Sequence, residues 1–174
     1  MGISGAYVVD GEVFRFREIT PADNQAVARI IRQAFEEFQA PKIHSVYDDP
    51  ETDTLSQVFD VERAGYWVVE WHGRVCAGCG FYPTAGLPED MAEIVKFYAL
   101  PEVRGKGVGR SLLRFVEEKA VGAGYARVYL ESIPAFKDAV SLYRKQGYRD
   151  LPAPLGQSGH TAMTVFMAKA LRGR

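Results

Sequence analysis

The stretch Pro101-Glu-Val-Arg-Gly-Lys-Gly-Val-Gly109 lies between an apolar strand pattern and an amphipathic helix pattern. Its three alternating glycines permit a tight turn and leave the backbone N–H groups accessible, because glycine has no Cβ to block positive φ. The helix that follows adds unpaired N–H groups and the positive end of its dipole. Arg104 and Lys106 add positive charge beside the turn. The sequence therefore predicts a seat for the pyrophosphate of a cofactor.

Two better-known phosphate-binding loops do not match this stretch. In a P-loop the lysine is followed by Ser or Thr, but here Lys106 is followed by Gly107. The dinucleotide-binding fingerprint G-x-G-x-x-G fails because Arg110 occupies the place of its last glycine. A merely flexible loop remains an alternative, because the chain contains 17 Gly and short patterns arise by chance.

The composition predicts one globular domain spanning residues 1–174, with its core over about 13–169 and a short N-terminal extension at 1–12. Hydrophobic residues make up 47% and charged residues 25% of the chain, as in ordinary globular proteins. The net charge of −1 provides no basic surplus for nucleic acid. No apolar run reaches the roughly 20 residues of a membrane span, and no secretory signal is visible. We expect a cytoplasmic protein.

Cys76 and Cys79 form a C-x-x-C pattern, which occurs in zinc and redox sites. Zinc would need further Cys or His at suitable spacing, and the three His form no supporting pair. A redox motif would begin a helix, whereas this segment reads as strand. Residues three apart on a strand face opposite sides, so we expect the thiols to point apart and no metal site to form.

The order of elements indicates an α/β fold with a mixed sheet and helices on its faces. Strands that could pair by a hairpin come first, and strands alternating with helices come later. Thr20 is a candidate helix cap, with Pro21 at the first helical position and Asp23 in the first turn. The predicted strands cover 13–19, 66–71, 74–81, 91–100, 127–133, 148–151 and 161–168; the predicted helices cover about 20–41, 53–64, 108–122 and 134–147.

Two segments resemble the GNAT superfamily of N-acetyltransferases. Glu93-Ile-Val-Lys-Phe-Tyr-Ala-Leu-Pro-Glu-Val-Arg-Gly-Lys-Gly-Val-Gly109 is similar to the family's cofactor-binding strand and its R/Q-x-x-G-x-G/A turn. Ala139-Val-Ser-Leu-Tyr-Arg-Lys-Gln-Gly-Tyr148 resembles the family's closing helix, A-x-x-L/F-Y-x-x-x-G-F/Y. The order of predicted strands and helices from Val13 to Lys169 also resembles that of the family fold. The resemblance implies a mixed, largely antiparallel sheet of about six to seven strands flanked by about four helices.

The resemblance implies acetyl-CoA, or a close acyl-CoA, as the donor, with no metal. It implies that the glycine turn holds the pyrophosphate and that the main chain of the preceding strand pairs with the pantetheine arm. An exposed N–H near Ala99 could then stabilise the developing oxyanion. Alternatively, Phe97 and Ala99 only pack a core strand. The implied cofactor-binding residues are Phe97, Tyr98, Ala99, Arg104, Gly105, Lys106, Gly107, Val108, Gly109 and Arg110.

Amine acetylation needs a neutral nucleophile, and a lysine-like amine with a pKa of about 10.4 is mostly protonated at pH 7. A carboxylate can accept that proton. The resemblance implies Glu93, four residues before Phe97, as this catalytic base; Glu131 on the next predicted strand is the rival. Either could instead be a structural ion-paired acid. Tyr143 corresponds to the family residue that protonates the CoA thiolate, unless it is a core tyrosine with its hydroxyl bonded to backbone.

The acceptor pocket is less defined. The resemblance implies that it is built from residues 38–53 and 151–160. The acids Asp48, Asp49, Glu51 and Asp53 could attract a cationic amine or could simply be solvated. His160, His44 and Tyr47 could likewise line the pocket or could simply be surface residues.

The sequence thus predicts an acetyl-CoA-dependent N-acetyltransferase that acts on a primary amine of a small molecule by direct attack in a ternary complex. Neither Cys76 nor Cys79 has an evident base for an acyl-cysteine route. Two alternatives stay open: acetylation of a peptide or protein amine, and a non-catalytic acyl-CoA-binding regulatory module. A homodimer is the family tendency.

Overall fold

The computed structural model describes residues 5–172. Its strands are β1 Gly5–Val9, β2 Glu12–Glu18, β3 Gly65–Trp71, β4 Arg74–Tyr82, β5 Met91–Ala99, β6 Arg127–Ser132, β7 Arg149–Leu151 and β8 Val165–Ala170. Its α-helices are α1 Asn24–Glu37, α2 Leu55–Val58, α3 Val108–Gly122 and α4 Lys137–Lys145. Short 3₁₀ helices cover Pro21–Asp23, Pro50–Asp53 and Pro101–Val103.

All eight strands form one sheet in the order β1-β2-β3-β4-β5-β6-β8-β7. Within residues 5–172, β5 and β6 are the one parallel pair, and all other neighbours are antiparallel. The mixed, largely antiparallel sheet with about four helices is therefore confirmed. The strand count is eight rather than the six to seven expected.

The additional strand comes from the segment predicted as an N-terminal extension. Asp10 and Gly11 both have positive φ, of 49° and 79°, and form the two-residue turn of a hairpin between β1 and β2. Tyr7 and Val9 pack against the buried core. The ordered sheet thus starts before residue 13.

The start of α1 matches its sequence signal. Thr20 caps the 3₁₀ turn that leads into the helix, Pro21 occupies its first position, and the Asp23 carboxylate accepts the Thr20 N–H at 2.8 Å. Asp23 also pairs with Arg17 at 2.8 Å. The capping prediction is confirmed.

Several predicted elements are shorter in the structure, and two of them have a clear local cause. The helix expected over 53–64 is limited to α2, because Phe59 turns inward against Tyr66 and Arg63 adopts a left-handed φ of 60° before β3. The strand expected from Thr161 starts only at Val165, since the Met163 N–H closes a turn on the His160 carbonyl at 3.1 Å.

Two buried layers lie on opposite faces of the sheet. One contains the apolar side of α3, including Leu112, Leu113 and Val116. The other contains the apolar side of α1, including Val27 and Phe35. No helix within residues 5–172 is both long and apolar enough to cross a membrane.

The two cysteines do not face opposite layers as predicted, because both lie in the α3-side core. The register between β3 and β4 shifts so that Val69 faces Ala77 while Glu70 faces Val75, which leaves Cys76 as an extra residue. This bulge breaks the strand's alternation. Burial raises the pKa of Cys76 to about 12 and that of Cys79 well above its ordinary value, so both thiols are protonated at neutral pH.

Candidate functional site

The candidate site lies where two parallel strands separate. β5 and β6 pair only from Met91–Arg127 to Glu93–Tyr129, although both strands continue beyond this point. A cavity of about 490 Å³ occupies the gap and is lined by both strands, the start of α3 and one face of α4. Backbone groups that lose their sheet partner in such a gap can bind a ligand.

A bulge in β5 explains why the strands part. Gly80 of β4 faces Val95, but Gly78 faces Tyr98, so two β5 residues stand opposite one β4 residue. Bulges of this kind bend the strand that carries the extra residue. A Cβ on Gly78 or Gly80 would collide with Tyr66, whose hydroxyl donates to the Lys96 carbonyl at 2.7 Å. Because Gly78 and Gly80 have no side chain, the Tyr66 ring fits against β4 and its hydroxyl can bind the bulge.

The glycine turn forms the end of the cavity next to α3. Gly105 and Gly107 have positive φ values of 75° and 82°, and Gly107 caps α3. The Tyr7 hydroxyl of β1 donates to the Lys106 carbonyl at 3.1 Å, and a Cβ on Gly107 would contact that hydroxyl. The tight turn predicted from the glycines is present, and its amides precede a fifteen-residue helix.

Eight of the ten residues expected to bind cofactor line the cavity: Phe97, Tyr98, Ala99, Arg104, Gly105, Gly107, Gly109 and Arg110. The Arg104 guanidinium donates to the Ala99 carbonyl at 2.8 and 3.0 Å and pairs with Glu37 at 2.7 Å, so it braces the turn against β5 and α1. The side chains of Lys106 and Val108, the other two expected residues, do not line the cavity. Lys106 lies over the Trp71 ring at 5.4 Å, and Val108 is buried in the core.

Tyr143 of α4 lines the cavity, with its ring centroid 6.0 Å from that of Phe97. Its hydroxyl makes no hydrogen bond to any residue from 5 to 172, in contrast to the backbone-bonded alternative. Burial raises the pKa of Tyr143 well above its ordinary value. Tyr143 therefore provides the cavity with a protonated hydroxyl group that is available as a hydrogen-bond donor.

Glu93 lies at the point where β5 and β6 part, and it is 5% exposed. The Thr84 hydroxyl donates to one of its oxygens at 2.5 Å, and no cation within residues 5–172 forms an ion pair with it. Burial, reinforced by the charge of Glu131, raises the pKa of Glu93 to about 7 despite the opposing effects of Thr84 and Lys96. Its other oxygen is free to accept a proton near neutral pH.

Glu131, the rival acid, also lines the cavity but is more fully engaged. One of its oxygens accepts the Tyr129 hydroxyl at 2.7 Å, and the other accepts the Ser158 hydroxyl at 2.5 Å. Both Glu131 oxygens therefore already accept a hydroxyl group, whereas only one Glu93 oxygen does. Glu93 is therefore the better placed of the two acids to accept a proton.

Most of the candidate acceptor residues do not face the cavity. Asp48 accepts the backbone N–H groups of His44 and Ser45, and Asp53 pairs with Arg32 at 2.6 Å. The Tyr47 hydroxyl donates to Glu36, while Glu51 and His44 are exposed. Of these candidate acceptor residues, only His160 lines the cavity. Asp49 does not line it, but its Oδ2 lies 3.0 Å from Nε2 of His160.

Sequence reasoning missed Lys96, whose buried side chain also lines the cavity. A lysine inside an apolar strand is a signal that could have been noticed. However, Glu93 and Lys96 are three residues apart and would face opposite sides of a regular strand. Only the bulge brings Lys96 to the same cavity.

Two loops meet beside the carboxylates. The loop between β4 and β5 provides Thr84, and the loop between β7 and β8 provides Ser158. The Gln157 N–H donates to the Ala85 carbonyl at 2.7 Å, which joins the loops directly. The two joined loops therefore support the Glu93 and Glu131 carboxylates from outside the cavity lining.

Comparisons with known proteins agree with this arrangement. A model of the Acetyltransferase (GNAT) family matches residues 25–148. The uncharacterized N-acetyltransferase YjgM of Escherichia coli (strain K12) is 39% identical over 157 residues, which cover 89% of this chain and 93% of that protein.

Two crystal-structure comparisons show the same fold at low sequence identity. A GNAT-family acetyltransferase from Staphylococcus aureus Mu50 superposes with a TM-score of 0.80 at 18% identity, covering 91% of this chain and 99% of that one. The structure of yncA from Salmonella typhimurium with its cofactor acetyl-CoA gives a TM-score of 0.72 at 17% identity, covering 92% and 95%.

Proposed function

The chain belongs to the GNAT family of N-acetyltransferases, and from this membership we propose that it transfers the acetyl group of acetyl-CoA to the primary amine of a small molecule by direct attack in a ternary complex. One observation carries the proposal. A single cavity between β5 and β6 is lined at one end by the glycine turn and also by Glu93.

The residues present fit an acyl-CoA donor. Gly107 lacks the Cβ that would collide with the Tyr7 hydroxyl, a Cβ on Gly105 would meet no protein atom within 4 Å, and the turn amides stand before α3, where a pyrophosphate binds well. Beyond Glu93, β5 has no pairing to β6 that would compete for its backbone groups. The yncA structure, which has the same fold, carries acetyl-CoA, and this supports the same donor here. When bound, acetyl-CoA supplies the activated acetyl group.

The chain's own residues supply the proton transfers. Glu93 accepts the proton of the attacking amine, because no cation among residues 5–172 forms an ion pair with it and its pKa is raised to about 7. The Tyr143 hydroxyl donates a proton to the departing thiolate, because Tyr143 lines the cavity and its hydroxyl has no hydrogen-bond partner in the part of the chain that the structure describes. The N–H groups of β5 near Ala99 stabilise the negative charge that develops on the carbonyl oxygen.

The loops that meet beside the Glu93 and Glu131 carboxylates favour a small acceptor over a peptide. The Ala85–Gln157 hydrogen bond joins two loops there, and the approach of Gly86 to Gly156 is tight enough that a Cβ on Gly86 would lie 3.0 Å from the Gly156 Cα. An extended peptide would need an open groove past the thioester.

Release of free CoA thiol from acetyl-CoA tests the proposal, with a panel of small amines and lysine-containing peptides as acceptors. We expect thiol release with small amines, and loss of most of it in Glu93→Gln. Faster turnover of peptides would contradict the small-molecule assignment. A protein whose melting temperature rises with acetyl-CoA but that releases no thiol with any acceptor would contradict transfer itself.

A further inference from the structure

Lys96 is a buried cation with unused hydrogen-bond donors. Its side chain is 6% exposed and lines the cavity. Its ammonium lies 3.8 Å from Asp49 Oδ2, and it makes no hydrogen bond to any residue between 5 and 172. Burial lowers the pKa of Lys96, while the charges of Asp49, Glu51 and Glu93 oppose that effect. A buried ammonium is costly unless its donors are satisfied, so these three donors are available to a ligand.

The backbone at Lys96 is also unusual. Its φ of 52° is left-handed, a conformation that non-glycine residues adopt rarely. Lys96 is one of the two β5 residues that stand opposite one residue of β4 at the bulge. Strained backbone of this kind persists where the surrounding structure enforces it, commonly at ligand sites. Here the strain turns a lysine toward the cavity.

Asp49 lies close to the Lys96 ammonium but does not form a hydrogen bond with it. The Asp49 carboxylate also contacts His160 at 3.0 Å and accepts the Glu51 N–H at 2.9 Å. Burial opposes its ionisation, but these hydrogen bonds and the nearby charges of Lys96 and His160 keep the pKa of Asp49 below its ordinary value. The Asp49 carboxylate therefore favours its own charged form and the charged form of Lys96, at a distance of 3.8 Å, which is longer than a hydrogen bond.

Apolar side chains also line the acceptor end, next to His160 and Glu131. Phe38, Tyr98, Phe136 and Met163 line the cavity together with Lys96. Tyr98 and Phe136 pack edge to face with their ring centroids 5.9 Å apart. An acceptor that reaches this region therefore meets the Lys96 ammonium, the Glu93 and Glu131 carboxyls, the His160 ring and aromatic walls.

We propose that the acceptor is an amino acid with an apolar side chain, whose carboxylate is bound by Lys96 while its amine faces Glu93. This inference rests on the proposed function, because it assigns the substrate class of the same site. A zwitterion places opposite charges against Lys96 and Glu93. A diamine such as putrescine has no group that Lys96 could bind, and its second ammonium would be repelled.

Matched acceptor pairs test the inference directly. L-Phenylalanine, L-methionine and L-leucine are compared with the amines that remain after removal of their carboxylates, and putrescine is added as a diamine. We expect kcat/KM to favour at least one amino acid over its paired amine by about 30-fold or more, the scale of a charge-assisted hydrogen bond. Thiol release is the readout.

Variants then assign the preference to a residue. Lys96→Met keeps a long, unbranched side chain at the left-handed backbone position but removes the charge. The ratio of kcat/KM for the amino acid to kcat/KM for its paired amine should therefore fall about tenfold or more. Lys42→Met removes an exposed lysine outside the cavity and should leave the ratio unchanged. The acetyl-CoA-induced rise in melting temperature shows that each variant is folded and binds donor.

The outcomes are distinguishable. Equal or faster turnover of the paired amines, a preference for putrescine, or an unchanged ratio in Lys96→Met would overturn this inference and leave the acetyltransferase function intact. Absence of thiol release with every amine would contradict the proposed function itself, and this inference with it.

Discussion

Glu93 combines burial, a single hydrogen bond and the absence of an ion pair among residues 5–172. Since its pKa is raised to about 7, it is the group whose ionisation should control the rate near neutral pH. We predict that kcat/KM rises as the pH increases through about 7, and that Glu93→Gln lowers kcat by about 10²- to 10⁴-fold. Steady-state rates between pH 5 and 9 measure both effects.

Glu131→Gln is the matched variant for this prediction. Because both Glu131 oxygens already accept hydroxyl groups, its loss should reduce kcat less than the loss of Glu93. A pH profile without inflection near 7, or a larger loss in Glu131→Gln, would favour Glu131 as the base.

The same raised pKa has a consequence for stability. Between pH 4.5 and about 7, folded Glu93 holds a proton that the unfolded chain has released. The free energy of unfolding therefore decreases as the pH rises through this window and stays lower above it. We predict that Glu93→Gln is more stable than the wild type at pH 8, by up to about 3 kcal/mol, with little advantage at pH 4.5.

Urea denaturation at the two pH values measures this difference, and Glu62→Gln serves as an exposed control. If the Glu93→Gln advantage were equal at both pH values, the gain would come from packing and not from ionisation.

Tyr143 and Tyr148 are both buried, but their hydroxyl groups differ. Tyr143 makes no hydrogen bond within the described chain, whereas the Tyr148 hydroxyl donates to buried Glu117 at 2.8 Å. We predict that Tyr143→Phe lowers kcat by about 10²-fold with little change in melting temperature or acetyl-CoA affinity. Tyr148→Phe should show the opposite pattern, because it leaves a buried carboxylate oxygen without its donor. Equal loss of turnover and donor affinity in Tyr143→Phe would identify a packing residue.

At the scale of elements, the glycine turn and the start of α3 act as one unit. Gly107 has a φ of 82°, and any Cβ there would contact the Tyr7 hydroxyl. We predict that Gly107→Glu lowers acetyl-CoA affinity by more than about 100-fold, through steric conflict and repulsion of the pyrophosphate. Isothermal titration measures the affinity.

Gly122 provides the control at the opposite end of the same helix, where a Cβ would meet nothing within 4 Å. Gly122→Glu adds the same charge away from the cavity and should retain donor binding. Unchanged acetyl-CoA affinity in Gly107→Glu would remove the glycine turn from the cofactor site.

The elements that sequence could predict are those whose signals are local. The glycine turn, β5 and the Tyr143 helix are each specified by a continuous pattern, and Thr20 to Asp23 specifies its own cap. The bulges could not be predicted, because each depends on how two strands align. Consequently Lys96 was missed, and the prediction that Cys76 and Cys79 point apart was wrong.

At the scale of the whole molecule, the first edge of the sheet is connected to the glycine turn at one end of the cavity. β1 lies at one edge, yet Tyr7 reaches the glycine turn and donates to the Lys106 carbonyl at 3.1 Å. The β1–β2 hairpin also carries Phe14 and Phe16 into the core beneath α3. The hairpin therefore fixes the turn from a distance of 99 residues along the chain.

This connection predicts a specific effect of Tyr7→Phe. Removing the hydroxyl frees the Lys106 carbonyl and loosens a turn whose amides must be held in place before the donor arrives, since binding would then have to order it. We expect acetyl-CoA affinity to fall about 3- to 10-fold with kcat unchanged at saturating donor, because one hydrogen bond contributes about 1 kcal/mol. Tyr125→Phe is the control, since its hydroxyl donates to the Arg63 carbonyl at 2.8 Å outside the cavity lining. That variant should lower the melting temperature without changing donor affinity. If Tyr7→Phe reduced only the melting temperature, the hairpin would stabilise the fold without preorganising the turn.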